Sequence, residues 1–419
     1  MQTSDIRRVS VVGLGYIGLP TAAMFASRKV QVIGIDVKPD TVDTINRGEV
    51  HIVEPDLDIA VRSSTRSGYL RASLTPEPAE AFLIAVPTPF VGDSHEPDLS
   101  YIQSACETIA PALVTGNIVI LESTSPVGAT EHMADWLAEL RPDLSFPQKA
   151  GENSDIRIAH CPERVLPGHV MQELITNDRV IGGMTERCSE MAVAVYRHFV
   201  TGNCVVTTPR TAEMAKLTEN SFRDVNIAFA NELSLICDKL DINVWELINL
   251  ANLHPRVNIL RPGPGVGGHC IAVDPWFIVA KTPEEAQIIH TARKVNDGKP
   301  QWVIDKVVEA VQARGQSTAT VACLGVAFKP DIDDLRESPA LAIAKKLIAT
   351  ENLNIIVAEP NIDKLPANMA ELDVSLHSPE QAIAKADIVL GLVAHREFKA
   401  LSRDLLDGKT VIDTCAIWE

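Results

Sequence analysis

Short apolar runs, each ending in a turn, set the rhythm of the first half of this chain. Val9-Ser-Val-Val12 is one, and an apolar stretch of helical length, Leu19 to Ser27, follows it. Val30-Gln-Val-Ile-Gly-Ile35 ends on Asp36, Ala81 to Val86 ends in Pro87-Thr88-Pro89, and Asn117 to Leu121 ends in Glu122-Ser-Thr124-Ser-Pro-Val-Gly128-Ala-Thr130. Such runs predict short strands buried on both faces, as in a parallel sheet flanked by helices. From Thr211 to about Ala251 the pattern changes to helical periodicity with almost no glycine or proline, which predicts a long helix. Alternation then returns. Thr320 to Phe328 reads as a strand, Lys329 to Ser338 as a polar loop, and Pro339 to Ala349 as a helix with Ser338 as its N-cap. Asn354 to Ala358, Asp387 to Val393 and Thr410 to Ile412 supply further strands, and residues 295–319, opening on Asp297-Gly-Lys-Pro300, read as a linker.

Composition narrows the setting. The chain has 419 residues, long enough for two or three domains with cores of their own. A net charge of −17 argues against nucleic acid or an anionic membrane as the main partner. Any phosphorylated ligand therefore requires locally concentrated lysine and arginine. Eight widely spread cysteines without a C-x-x-C pair point away from zinc and disulfides and towards a reducing cytoplasm. No metal site is expected. The first residues lead straight into a strand, and no run approaches the length of about 18 apolar residues needed to span a bilayer.

Gly13-Leu-Gly15-Tyr16-Ile17-Gly18 lies between a strand and a helix, with Asp36 about 20 residues on. In a dinucleotide fold the first glycine makes the turn, the second admits the pyrophosphate and the third lets helix and strand pack. Asp36 would bind ribose hydroxyls and repel a 2′-phosphate, favouring NAD over NADP. Thr88, Thr124 and Thr130 follow strand ends where such a ligand lies, although Ser and Thr before Pro also simply begin turns. The fold class is α/β: two Rossmann-like parallel-sheet domains, 1–205 and 315–419, joined by a central helical domain, 206–300, with a long helix. The last domain has no second glycine fingerprint.

The central helix places Lys216, Asn220 and Arg223 near one face, a pattern that taken alone is more often a solvated surface than a site. Nearby, His254-Pro-Arg256-Val-Asn258 leads into Gly263-Pro-Gly-Val-Gly267-Gly-His-Cys270-Ile-Ala-Val-Asp274. A thiol in a glycine-dense loop, in a chain that also binds a hydride acceptor, suggests covalent oxidation. A buried structural thiol in a one-step alcohol dehydrogenase, and a non-catalytic nucleotide sensor, are the competing readings. Lys329 and Arg336, in a loop after a strand, suit a diphosphate as well as they suit an exposed surface.

Taken in order, these motifs, with Cys161-Pro-Glu163-Arg164-Val165-Leu-Pro-Gly168 between them, resemble the UDP-glucose/GDP-mannose dehydrogenase family end to end. Runs such as His51-Ile-Val-Glu-Pro-Asp56 and His254-to-Leu260 resemble its branch acting on UDP-N-acetyl-D-mannosamine. The resemblance implies two NAD-dependent oxidations at C6 of a UDP-sugar, serving surface polysaccharide synthesis of the enterobacterial common antigen type. UDP-N-acetylglucosamine and UDP-glucose remain alternative substrates. It implies Cys270 as nucleophile, Lys216 and Asn220 as donors to the alkoxide, Asp274 beside the thiol and Glu163 ordering the hydrolytic water. Arg164, Val165, Lys216, Asn220, Arg223, His254, Arg256, Gly267, Phe328 and Lys329 are implied as substrate contacts, and Arg336 as a cofactor contact. It also implies a homodimer built on the long helix, with Arg256 reaching the neighbouring subunit. Near the C-terminus, where relatives carry a basic residue, this chain has Thr414-Cys415-Ala416, so no ligand contact is carried over there.

Overall fold

The structure, a computed structural model, describes residues 6–91, 95–268, 270–315, 318–366, 369 and 374–418. His269, in the thiol motif, lies outside them. The chain divides into two compact units, Met1–Glu219 and Asn220–Glu419.

In the first unit β1 (Arg8–Val12), β2 (Gln31–Ile35), β3 (Leu70–Ser73), β4 (Ala81–Ile84), β5 (Ile118–Leu121), β6 (Arg157–His160), β7 (Arg179–Gly183) and β8 (Cys204–Thr207) form one sheet. Their order is β8-β7-β6-β5-β4-β1-β2-β3. Neighbours run parallel except β6 and β7. The chain reverses its direction of strand addition between β1 and β4, the crevice where open parallel sheets take ligands. Helices α1 (Gly18–Ser27), α2 (Ala129–Leu140), α3 (Val170–Thr176) and α4 (Glu186–Tyr196) belong to this unit.

The central strands β1, β4 and β5 read as largely apolar runs for a direct reason. Val9, Val11, Leu83, Ile118 and Ile120 enter one core, which holds Phe25 of α1 and Tyr196 of α4. Their neighbours Val12, Phe82, Ile84, Val119 and Leu121 enter the other, with Met133 of α2. Alternate residues thus serve opposite layers, and each fully buried large side chain stabilises the fold by roughly 1.5–3 kcal/mol.

The long helix, α5 (Pro209–Leu240), is shorter than its periodicity suggested. Asp241 adopts φ +55°, and α6 (Val244–Ala251) restarts behind Asn243, whose side chain accepts from the Trp245 and Glu246 amides. A larger correction concerns the expected linker. Residues 295–313 belong to one helix, α8 (Gln287–Ala313), with Pro300 inside it; α7 (Asp274–Lys281) precedes it. Proline removes one backbone donor and crowds the preceding turn. Burial of Val303, Ile304 and Val307 along α8, with Arg293 and Asn296 hydrogen-bonded to Asp224, offsets that cost.

The second sheet has β9 (Ala319–Leu324), β10 (Leu353–Ala358), β11 (Ile388–Gly391) and β12 (Thr410–Asp413), all parallel, in the order β10-β9-β11-β12. β9 stops short of Phe328 because the chain turns at Gly325 (φ +89°), where a Cβ would lie 2.5 Å from that of Val393. α9 (Pro339–Ile348) opens as expected, with the Ser338 hydroxyl accepting from Leu341 N–H at 3.2 Å.

An acid follows the second strand in both sheets, but its setting differs. Asp36 is half-buried; one oxygen accepts from Leu14 N–H and the other from Lys38 N–H, each at 3.0 Å. Glu359 is 2% exposed, and its Oε2 receives Val326 N–H, Ala327 N–H and the His395 ring.

Candidate active site

The glycine turn satisfies three separate demands. Gly13 has φ +89°, and a Cβ there would lie 2.6 Å from the Ala85 carbonyl oxygen. A Cβ on Gly18 would overlap the Gly13 carbonyl oxygen at 1.8 Å. Gly15 is different: nothing lies within 4 Å of its Cβ direction, so packing does not require glycine there. An approaching ligand does. Tyr16 is exposed and Ile17 half-buried, and no side chain caps α1 among the described residues. This leaves the helix N-terminus to a phosphate. The turn, the open Gly15 and the half-buried Asp36 fit a dinucleotide.

Thr88 and Thr124, both half-buried, follow β4 and β5 on the same carboxyl edge, and the Thr88 hydroxyl has no partner among the described residues. Thr130 is differently employed. It is fully buried, and its amide and hydroxyl donate to Glu213 Oε1 at 2.8 and 2.6 Å. Gly128 N–H donates to Glu213 Oε2 at 2.7 Å, so Glu213 holds the start of α2.

Beyond β6, Glu163 is 6% exposed and ion-paired with Arg179 at 2.7 Å; its other oxygen accepts from Arg164 N–H at 2.6 Å. The Arg179 guanidinium lies 5.0 Å over the Tyr196 ring, and the Tyr196 hydroxyl donates to Glu122 at 2.8 Å. Burial pushes the Glu122 carboxyl up to about 7 against the pull of Arg179, and pushes the Cys161 thiol up to about 12. Arg164 pairs with Glu219 at 2.6 Å, and Val165 packs on the core. Lys216, also half-buried, lies one turn before Asn220 on α5.

In the second unit, Asn220 Nδ2 donates to Asp274 Oδ2 at 2.5 Å. Asp274, 3% exposed, begins α7, and its amide donates to the Cys270 carbonyl at 2.8 Å. Cys270 is exposed, whereas the other seven cysteines are buried or half-buried. The glycines before it have a packing reason. A Cβ on Gly267 would lie 2.4 Å from the Glu337 carbonyl oxygen and 3.2 Å from Phe328, and one on Gly268 would lie 3.3 Å from the Phe328 ring. The thiol loop and the Phe328 loop are therefore in contact.

Arg223, His254, Arg256 and Lys329 are exposed, and Arg336 makes a two-point fork with Asp334. Thr414 is taken up by the Gly391 carbonyl. Sequence reasoning missed Arg179, Glu213, Asn231 and Asn296. The signal for Arg179 was a lone arginine opening a strand, which has no motif.

Three family models match in succession: the NAD-binding domain of the UDP-glucose/GDP-mannose dehydrogenase family over residues 7–200, its central domain over 210–298 and its UDP-binding domain over 322–419. The UDP-N-acetyl-D-mannosamine dehydrogenase of Yersinia pestis is 62% identical, covering 98% of this chain and 99% of that protein. The NDP-N-acetyl-D-galactosaminuronic acid dehydrogenase of Ralstonia nicotianae is 60% identical, covering 99% and 97%. Among solved structures, the UDP-D-ManNAc dehydrogenase of Pyrococcus horikoshii superposes with a TM-score of 0.88 at 37% identity, covering 98% of this chain and 96% of that one. With an open dinucleotide turn in one unit and an exposed thiol in the other, the chain belongs to the UDP-glucose/GDP-mannose dehydrogenase family and is an NAD-dependent nucleotide-sugar dehydrogenase.

Proposed function

We propose that the enzyme oxidises UDP-N-acetyl-D-mannosamine at C6 to the uronate through a covalent bond to Cys270. We further propose that it acts in the cytoplasm for surface polysaccharide synthesis of the enterobacterial common antigen type. The observation that carries the covalent step is the exposure of Cys270, which a structural thiol would not have. Two NAD molecules, bound in succession, would each accept one hydride, one at each oxidation level. Gly13 to Gly18, Asp36, Thr88 and Thr124 hold the cofactor, with Arg336 as a further contact.

The C6 alcohol gives up a hydride from carbon and its hydroxyl proton to water, leaving an aldehyde. The Cys270 sulfur then adds to the aldehyde carbon, with Asp274 taking the thiol proton. The product is a tetrahedral carbon that still bears a hydrogen to lose as hydride. Lys216 and Asn220 donate to its developing alkoxide. Loss of the second hydride gives a thioester; water, ordered by Glu163, cleaves it to the carboxylate and regenerates the thiol. Arg164, Val165, Arg223, His254, Arg256, Gly267, Phe328 and Lys329 make the substrate contacts, the cations facing the diphosphate.

Eight widely spread cysteines without a C-x-x-C pair fit a reducing compartment, and among the described residues no helix is long and apolar enough to cross a membrane. The enzyme acts as a homodimer, for which the support is an exposed apolar stripe at seven-residue spacing on α5: Phe222, Phe229 and Ile236. A second reading of the sugar, the N-acetylgalactosamine epimer, draws on the near-equal identity of the Ralstonia relative. A panel of UDP-sugars assayed for NADH tests both. Two NADH per molecule of UDP-N-acetyl-D-mannosamine is the expected result. One NADH with aldehyde as the product, or none with any UDP-sugar, would overturn the proposal.

A further inference from the structure

The buried face between α5 and α8 carries polar groups that the chemistry above does not use. Asp224, Asn231 and Ser234 of α5 and Arg293, Asn296 and Lys299 of α8 are each no more than 8% exposed. Four of them form a directed chain of hydrogen bonds. Arg293 donates to Asp224 Oδ1 at 2.6 Å, and Asn296 donates to the same oxygen at 2.8 Å. Asn231 Nδ2 donates to Asn296 Oδ1 at 2.8 Å, and Gly263 N–H donates to Asn231 Oδ1 at 2.9 Å. Each amide has one orientation, dictated by the Asp224 carboxylate at the end of the chain. Such a chain strengthens its members. It runs outward from the anion to one backbone group: the amide of the first glycine in the thiol loop.

The other end of that loop is held from the same helix, by Asn220 on Asp274. Asn220 and Asn231 are eleven residues apart, as are Gly263 and Asp274. Eleven residues of α-helix make about three turns and span about 16 Å, so both asparagines lie on one face. Eleven residues of loop can stretch to about 36–40 Å. The loop thus holds about twice the chain it needs to join its ends, and the position of its thiol depends on where those ends are fixed. Contacts along the way add support: a Cβ on Gly265 would lie 2.9 Å from Pro339 and 3.1 Å from Pro300.

We infer that Asn231 is a positioning residue for Cys270, fixing the start of the thiol loop as Asn220 fixes its end. The inference rests on the reading of Cys270 as nucleophile, which Cys270→Ser tests alone: that variant must form no uronate. Asn231→Ala in the full chain is then expected to form acid on the order of 10²-fold more slowly. NADH per sugar should fall from two towards one, with aldehyde captured by a hydrazine reagent. The iodoacetamide alkylation rate of Cys270, followed by peptide mass spectrometry, should change, while the KM for NAD should not. Asn231→Asp keeps an acceptor for Gly263 N–H and should recover part of the loss. If Asn231→Ala does not fold, Asn231→Asp and Asn296→Ala carry the same readouts. A lower melting temperature with two NADH per sugar and an unchanged alkylation rate would make Asn231 merely structural and overturn the inference. Normal turnover in Cys270→Ser would remove the nucleophile reading instead, leaving alkylation to judge the hold on the loop.

Discussion

Glu122 carries a pH signature that can be read out as stability. Its Oε1 accepts from Tyr196, its Oε2 is buried without a partner among the described residues, and burial lifts its carboxyl from 4.5 to about 7. Between those values the folded state holds a proton that the unfolded state has released, so stability falls as pH rises. Glu122→Gln removes this dependence. The variant's stability relative to the parent should therefore rise between pH 4.5 and about 7, by on the order of 3 kcal/mol. Unfolding midpoints measured across that range check it, and a constant difference would refute the assignment. Asp36→Ala should weaken NAD and narrow the preference over NADP, as competitive titration with both cofactors would show. Asp36 could be read from the chain because its spacing from the glycines is itself the mechanism. Glu213 and Arg179 could not: their partners Thr130 and Glu163 lie 83 and 16 residues away, at distances no periodicity encodes.

At the scale of elements, the strands were readable because residues that alternate between two apolar cores leave an uninterrupted apolar run. α8 was not. Gly298 and Pro300 are local turn signals, whereas the contacts that keep the helix intact come from Asp224 and Asn231, 65 to 72 residues earlier. Tertiary burial outweighed local propensity. The thiol loop was recognisable by composition, but the reason for its glycines, the backbone at Glu337 and the Phe328 ring, was not. Two substitutions test how elements are joined. Gly18→Ala places a methyl group on the Gly13 carbonyl oxygen, so the turn must open and NAD binding should be lost. Glu213→Ala strips the acceptor from two amides and a hydroxyl at the start of α2, and should cost about 1–3 kcal/mol in denaturant unfolding.

For the whole molecule, the proposed dimer predicts that Phe229→Glu, a charge within the exposed stripe of α5, yields a monomer in sedimentation experiments. An unchanged sedimentation coefficient would remove α5 as the interface. The enzyme also faces a sorting problem, since both of its small molecules carry a ribonucleoside on a diphosphate. The two acids after the second strands bear on it. The Asp36 carboxylate is only half-buried and stays accessible to a ribose diol. Glu359 Oε2 is saturated by two amides and His395, and its Oε1 accepts from Asn361 N–H. The second sheet therefore offers no accessible carboxylate at the position where the first has Asp36, the proposed diol acceptor. Rising NAD should saturate the enzyme without competing against the sugar nucleotide, so substrate inhibition by NAD should be absent even when the sugar is scarce.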